Sequence, residues 1–223
     1  MRTKTLLLGG AVAGPLFIMV GLGQALLRDG FDLGHNTLSL LSNGAFGWVQ
    51  VLNFSLSGAL YLGGAIGAGR ALRQPGPGGT WGPRLLACFG LCMIGAGVFR
   101  PDPAFGFPPG TAAGPPTTTS WHGGLHYTFA SLAFVALLGA FVALARRHAR
   151  HGYRGWAAAT WTIAAAMTAA TVLISTAAEL APVNVFYVAT TLLAFLWASV
   201  LLAQLLATGT RSTATVPQSV TWR

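Results

Sequence analysis

Residues 121–151 read WHGGLHYTFASLAFVALLGAFVALARRHARH, and this stretch decides the class of fold. Its part from Trp121 to Leu144 contains no Asp, Glu, Lys or Arg. A run of about 18 or more apolar residues is long enough to cross a hydrocarbon core of about 30 Å as a helix. The run ends at the basic segment Arg146-Arg147-His148-Ala149-Arg150-His151. The stretch therefore predicts a membrane-spanning helix that ends in positive charge.

Five other stretches of the chain have the same character. The six predicted spans cover residues 5–27, 48–68, 81–99, 121–144, 156–178 and 185–207. With 53% hydrophobic and only 8% charged residues, a chain of 223 residues is too apolar for an ordinary soluble domain. The sequence predicts an all-α membrane protein whose residues 1–208 form one six-helix bundle. The Thr/Ser-rich tail, residues 209–223, is predicted to be disordered and cytoplasmic.

The charges predict which way the bundle crosses the membrane. With both termini in the cytoplasm, eleven of the thirteen Lys and Arg residues face inward, and only Arg28 and Arg100 face outward. This is the distribution of the positive-inside rule, so the formal charge of +9 needs no nucleic acid partner. The preference for Arg over Lys suggests a GC-rich bacterial genome. We therefore expect a multi-pass protein of the bacterial cytoplasmic membrane, with the lipid bilayer as its first partner.

The same topology places all four acids on the outer side, beside three of the five histidines. Positive-inside sorting does not require this second asymmetry, because acids contribute little to orientation. The outer ends of the helices are therefore the predicted site. The candidate catalytic residues there are Asp32, His35, Asp102, His122, His126 and Glu179.

Several short motifs at this end resemble a known family. They are His35-Asn-Thr-Leu-Ser39-Leu-Leu-Ser-Asn43-Gly with Gly47-Trp48 and Asn53-Phe54, then Phe99-Arg-Pro-Asp102-Pro, then His122-Gly-Gly-Leu-His126. Together they are similar to the bacterial membrane family known as domain of unknown function 998, over residues 7–206. The resemblance implies a six-helix membrane fold and supplies no mechanism.

Asp102 lies between two prolines, which stiffen the chain around it. We expect Arg100 to pair with it and keep it ionised, in a catalytic role or as a loop anchor. His122 and His126 are four residues apart at a helix start, so their rings are predicted to share a face under a Thr119 or Ser120 cap. The two residues are predicted to be interfacial histidines with no metal; if a metal does bind, His35, His122 and His126 are the predicted ligands.

Glu179 ends the fifth span near the hydrocarbon boundary, where desolvation favours a neutral acid, unless the side chain reaches water. Aromatic residues surround the same end, and most are typical of an interfacial belt. Phe105 and Phe107 differ, because they lie on a Pro/Gly-rich loop that we expect to act as a lid. The candidate substrate-binding residues are Trp48, Phe99, Phe105, Phe107, Trp121, Phe129, Phe186 and Tyr187.

These parts suggest three functions. The first is a membrane enzyme acting on an apolar isoprenoid or lipid, in which a carboxylic acid starts terpenoid cyclisation and aromatic faces stabilise the cation, without a cofactor. The second is a membrane hydrolase in which His35, His122 and His126 bind zinc. The third is a non-catalytic structural, interaction or transport protein. Glycine-rich faces at Gly58, Gly63-Gly64 and Gly67 are predicted to pack helices closely, either within one chain or between copies in an oligomer.

Overall fold

A computed structural model describes residues 2–72 and 77–214 of the chain, with side chains up to residue 208. The described residues form six long α-helices, and all six are long and apolar enough to cross a membrane. They are α1 (Thr3–Leu27), α2 (Gly47–Ala71), α3 (Pro77–Val98), α4 (Trp121–Arg150), α5 (Arg154–Ala177) and α6 (Ala181–Ala214). The predicted all-α, six-span membrane fold is confirmed.

The helix bounds differ from the predicted spans mainly at two ends. Helix α4 continues to Arg150 and α6 continues to Ala214, each past the predicted end of its span. The residues that extend α4 include Ala145, Arg146 and Arg147, which are strong helix formers, so this helix need not stop where its apolar run stops. A five-residue 3-10 helix, Leu38–Ser42, lies in the connection between α1 and α2. Residues 215–223 of the predicted tail lie outside the described residues.

The helices form a closed ring in chain order. Each helix packs against the next, and α6 returns to pack against α1. Helix α6 also touches α2 across the ring. Phe17, Tyr61, Phe89 and Phe195 fill the centre of this contact, with neighbouring ring centroids 5.0–6.4 Å apart. Three helices from the first half of the chain and α6 thus share one aromatic core.

Glycines of α2 let its neighbours approach closely. A Cβ built on Gly64 would lie 2.8 Å from the Cα of Gly10 in α1, and one on Gly58 would lie 2.6 Å from the carbonyl oxygen of Gly90 in α3. A Cβ on Gly67 would lie 3.1 Å from Leu6 and Leu7. These distances are too short for a side chain, so these glycines pack helices within one chain. Oligomer formation stays a prediction.

A buried hydroxyl joins α1 to α6 next to Pro15. Ser199 Oγ accepts a hydrogen bond from the backbone N–H of Gly14 at 2.8 Å and donates to the carbonyl of Gly10 at 2.9 Å. The Tyr61 hydroxyl lies 3.2 Å from Ser199 Oγ and donates to the carbonyl of Phe195 at 2.5 Å. These polar groups lie deep in apolar surroundings, where an unmade hydrogen bond is costly.

Candidate functional site

The bundle has two chemically different ends. The acidic end consists of the connections 28–46, 99–120 and 178–180, which contain all four acids of the chain. The basic end consists of the opposite helix ends, where Arg2, Lys4, Arg70, Arg84 and the segment Arg146–Arg154 lie. Successive helices of the ring are antiparallel, so alternate connections meet at the same end.

Asparagine side chains tie the connections of the acidic end together. Asn36 Nδ2 donates to the carbonyl of Phe105 at 3.1 Å, and Asn43 Nδ2 donates to the carbonyl of Pro101 at 3.1 Å. Asn184, at the start of α6, donates to the carbonyl of Leu33 at 3.0 Å. All three asparagines are buried. The acidic end is therefore covered by a hydrogen-bonded layer of backbone.

Arg28 lies at the centre of this layer. Its guanidinium donates to the carbonyls of Leu41 and Asn43, each at 2.7 Å, and lies 4.9 Å from the centre of the Phe107 ring. Burial lowers the pKa of Arg28 from its ordinary value. Phe107 is fully buried and meets Phe31 edge to face at 5.1 Å. The expected Phe105/Phe107 lid is therefore a packed part of the layer.

Asp102 caps a helix and does not pair with Arg100. Its Oδ2 accepts the backbone N–H of Ser120 at 2.9 Å and lies against Gly123 in the first turn of α4. Ser120 Oγ accepts the N–H of Gly123 at 3.0 Å, which confirms the predicted cap. Among the described contacts Arg100 forms no ion pair with Asp102, so that expectation is wrong. The backbone N–H groups and the helix dipole at the start of α4 stabilise the Asp102 carboxylate in place of Arg100.

The structure does not bring the three predicted metal ligands together. His126 is buried, and its Nδ1 donates to the carbonyls of Ala96 and Phe99 at 2.8 and 2.9 Å, at the end of α3. His122 is exposed, with its ring centroid 3.5 Å from that of Trp121. No group of three or more His, Cys, Asp or Glu side chains in the described part of the chain could hold a metal ion.

His35 pairs with Asp32 instead. Asp32 Oδ2 lies 2.8 Å from His35 Nδ1, and Oδ1 accepts the N–H of Gly34 at 2.7 Å. The hydrogen bond from His35, followed by that from Gly34, lowers the pKa of Asp32 from its ordinary value. Both side chains are about half exposed or more, at 48% for His35 and 63% for Asp32. The pair is thus a solvated surface contact.

The remaining predicted site residues have different surroundings. Glu179 is exposed in the turn between α5 and α6. Trp48, Trp121 and Phe186 are exposed on the outside of the bundle. Phe99 stacks on Phe129 with centroids 5.6 Å apart, and Tyr187 stacks on Phe134 at 5.7 Å. These aromatics fit an interfacial belt with stacked pairs between helices.

Polar residues inside two spans form a cluster that was not among the predicted site residues. Gln24 Nε2 donates to Gln50 Oε1 at 2.7 Å, and Asn53 Nδ2 donates to the carbonyl of Phe17 at 3.1 Å. Gln50 and Asn53 are buried between α1 and α2. Polar side chains within apolar spans are a signal that would have found this cluster from the sequence. It joins the helices beneath the acidic end.

A cavity of about 390 Å³ lies at the basic end, among α2, α3, α4 and α6. Small-molecule sites usually have volumes of about 300–1,000 Å³. Its apolar lining consists of Ala68, Ala71, Leu72, Gly82, Pro83, Leu86, Ala140, Phe141, Leu144, Ala198, Leu201, Leu202 and Leu205. Its polar lining consists of Arg147, His148, His151, Tyr153, Gln204 and Thr208. The cavity is thus apolar in the bundle and basic at its rim.

The two histidines of this rim were not among the predicted site residues. Arg147, His148 and His151 lie within the last turn of α4 and its cap. His148 Nε2 donates to Gln204 Oε1 at 3.1 Å, and its ring lies 6.0 Å from that of Trp156. These contacts join the C-terminal end of α4 to α5 and α6. A basic run after an apolar span is so common that its composition alone does not indicate a pocket.

The fold and the cavity define an all-helical integral membrane protein with six spans. The chain belongs to the family described as protein of unknown function DUF998, whose model matches residues 11–211. The resemblance seen in the motifs of residues 35–54, 99–103 and 122–126 is thereby confirmed. Comparison with curated proteins and with solved structures found no match. Family membership assigns no activity, so a function has to be argued from the geometry.

Proposed function

We propose that this protein binds a lipid-like molecule in the basic-end cavity, in a bacterial cytoplasmic membrane whose inner face lies at the basic end. The observation that carries the proposal is a cavity of about 390 Å³ with apolar walls that extend into the bundle. The positive-inside rule supports the orientation, because the basic end has nine Lys or Arg residues in the connections and helix ends between Arg2 and Arg154.

The depth of the cavity favours an apolar chain as its occupant. Leu86, Phe141 and Leu202 line it, and each is no more than 4% exposed. Water in an apolar cavity finds few hydrogen-bond partners, whereas an alkyl or isoprenoid chain gains the transfer free energy of apolar surface, about 25 cal/mol per Å². A lipid-like ligand therefore fits the walls better than a polar solute does.

A cavity-filling substitution tests the proposal. Ala198 is buried and lines the cavity, whereas Ala203 is exposed on the same helix and is not among the lining residues. We expect Ala198→Leu to displace the ligand and Ala203→Leu to leave it bound, because both changes add the same side chain to α6. The ligand is measured by native mass spectrometry and lipid extraction of protein purified in nanodiscs. Equal ligand content in both variants, with the fold intact, would contradict the proposal.

The enzymatic hypotheses stay predictions within this proposal. Asp102 is engaged with the backbone of α4, and Glu179 is exposed, so neither carboxyl group lines the cavity. Isoprenoid cyclisation by these acids would need a substrate at the acidic end. Loss of turnover in Asp102→Asn protein that still inserts and folds would place the chemistry there. The zinc hydrolase has no assembled ligand set among the described residues.

A further inference from the structure

Arg147 is a half-buried cation on the rim of the cavity. Among the described residues its guanidinium forms no ion pair and donates no hydrogen bond, and its backbone carbonyl accepts from His151 Nδ1 at 2.9 Å. A guanidinium has five N–H donors in a planar fork. Leaving them without partners beside apolar walls is unfavourable, because a charge withdrawn from water needs a counter-charge or hydrogen bonds.

The protein has no acid that reaches this end. None of the described residues that line the cavity is acidic, and all four acids of the sequence lie in the connections of the acidic end. Asp102 lies against Gly123, which precedes Arg147 by roughly 36 Å along α4 at about 1.5 Å per residue. That separation exceeds the Debye length of about 8 Å at physiological salt. The described residues therefore supply no counter-charge for Arg147.

The groups beside Arg147 suit an oxyanion. The ring nitrogens of His148 and His151 lie on the same rim, and Tyr153, Gln204 and Thr208 supply neutral hydrogen-bond groups there. Arginine binds phosphate and carboxylate with two parallel N–H···O bonds, which gives it geometric specificity for these headgroups. The apolar walls begin directly behind this rim, at Leu144 and Leu205.

We infer that the occupant of the cavity is an amphiphile with an anionic phosphate or carboxylate headgroup, which binds Arg147 while its chain lies between α2, α3, α4 and α6. This inference rests on the proposed function and adds the charge and position of the headgroup. It makes Arg147 the residue that selects the ligand. His148 and His151 lie beside it on the same rim.

The test compares ligands that share a chain and differ in the headgroup. Oleyl phosphate, oleate, oleyl alcohol and oleylamine are added to the full-length protein in phosphatidylcholine nanodiscs, and binding is measured by native mass spectrometry. We expect oleyl phosphate and oleate to bind at one equivalent, and the alcohol and the amine to bind about ten-fold more weakly or worse. Stronger binding of the phosphate or of the carboxylate identifies the headgroup.

Two variants separate the cavity from the surface. Arg147→Gln removes the cation on the rim, whereas Arg146→Gln removes the same charge from the neighbouring exposed residue, which does not line the cavity. We expect Arg147→Gln to weaken oleyl phosphate binding about ten-fold or more, and Arg146→Gln to change it less than two-fold or so. Both substitutions should leave the circular dichroism spectrum unchanged.

Each other outcome would refute a specific part of the inference or of the proposed function. Equal loss of binding in both variants would mean that anions are attracted to the membrane surface, and the inference would be wrong. Tight binding of oleyl alcohol that Ala198→Leu abolishes and Arg147→Gln does not would refute the anionic headgroup and leave the cavity proposal standing. Failure of every oleyl ligand to bind would refute the inference and the proposed function together.

Discussion

Replacing Gly64 by alanine should separate α1 from α2, whereas the same change at Gly63 should not. A Cβ on Gly64 would lie 2.8 Å from the Cα of Gly10 and 2.7 Å from Cδ1 of Leu202. A Cβ on Gly63 would meet only Leu6, at 3.5 Å, which is ordinary van der Waals contact. The leucine can change rotamer, but the backbone of Gly10 cannot move without its helix.

The expected size follows from these distances. To restore ordinary contact, α1 and α2 must move apart by about 0.6 Å at Gly64. A gap of about 0.5–1 Å removes a quarter to a half of the attraction of each contact that it opens, and overpacking of this kind costs about 1–3 kcal/mol. Both variants gain the same helix propensity, roughly 1 kcal/mol for Gly→Ala. We expect Gly64→Ala to be about 1–3 kcal/mol less stable than Gly63→Ala.

The assay is unfolding by SDS in mixed micelles, followed by tryptophan fluorescence and circular dichroism, with the free energy of unfolding compared between the two variants. A second substitution, Gly10→Ala, should be destabilising in the same way, and the double variant Gly10→Ala/Gly64→Ala should lose less than the sum because the helices have already separated. Equal stability of Gly63→Ala and Gly64→Ala, within about 0.5 kcal/mol, would refute the close crossing of α1 and α2.

Four further changes have defined outcomes. Gly123→Ala should displace Asp102 from the first turn of α4 and lower the free energy of unfolding by about 1–2 kcal/mol, the value of a helix cap. Ser199→Ala removes the buried hydroxyl that bonds Gly14 and Gly10 of α1 and should cost about 0.5–1.5 kcal/mol in the same assay. Arg28→Lys loses the two hydrogen bonds that the guanidinium donates to the backbone carbonyls of Leu41 and Asn43. Protease should therefore cleave the connections of the acidic end faster in this variant. Because the pKa of Asp32 is lowered by folding, its stabilising contribution is complete above the unfolded value of 3.8 and is lost as the pH falls through the lowered folded value.

Matched controls make these expectations refutable. Gly124→Ala places its Cβ 4.0 Å from Thr119 and should be tolerated, so equal loss of stability at Gly123 and Gly124 would contradict the Asp102 cap. The exposed Ser175 is the control for Ser199, because its hydroxyl donates within its own helix. For Asp32 the effect should be small and weaker at high salt, since the side chain is 63% exposed; Asp32→Asn should remove it.

Local features of the chain predicted the fold because membrane insertion depends on local properties. Runs of about twenty apolar residues define spans whatever their neighbours are, since every backbone polar group must be satisfied within its own helix. The Ser120 cap could likewise be predicted from the sequence, because it depends on groups that are three residues apart. The contacts of the Asp102 carboxylate could not be predicted, because both the nearby Arg100 and the start of α4, which is distant in the sequence, could bind it. In the structure the carboxylate binds the start of α4, through one backbone N–H hydrogen bond and the helix dipole.

The candidate site was predicted at the acidic end because unusual residues were clustered there. Such clustering reports composition, and the structure shows what each group does: Asp102 caps α4, His126 donates to the end of α3, and Arg28 joins two connections. Each of these roles involves residues 13 or more positions apart. The acidic end therefore holds hydrogen-bonded structure, and catalysis there stays a prediction.

The sequence by itself determined six membrane spans, their order, and the separation of acids from bases, because each follows from residues that are close in the chain. The tertiary structure alone decided where the bundle is closed and where it is hollow. The cavity at the basic end is the space left between four helices whose lining residues, from Ala68 to Thr208, are scattered over most of the chain. No single residue or local motif encodes a cavity. Its position beside Arg147 follows from the packing of side chains that are distant in the sequence.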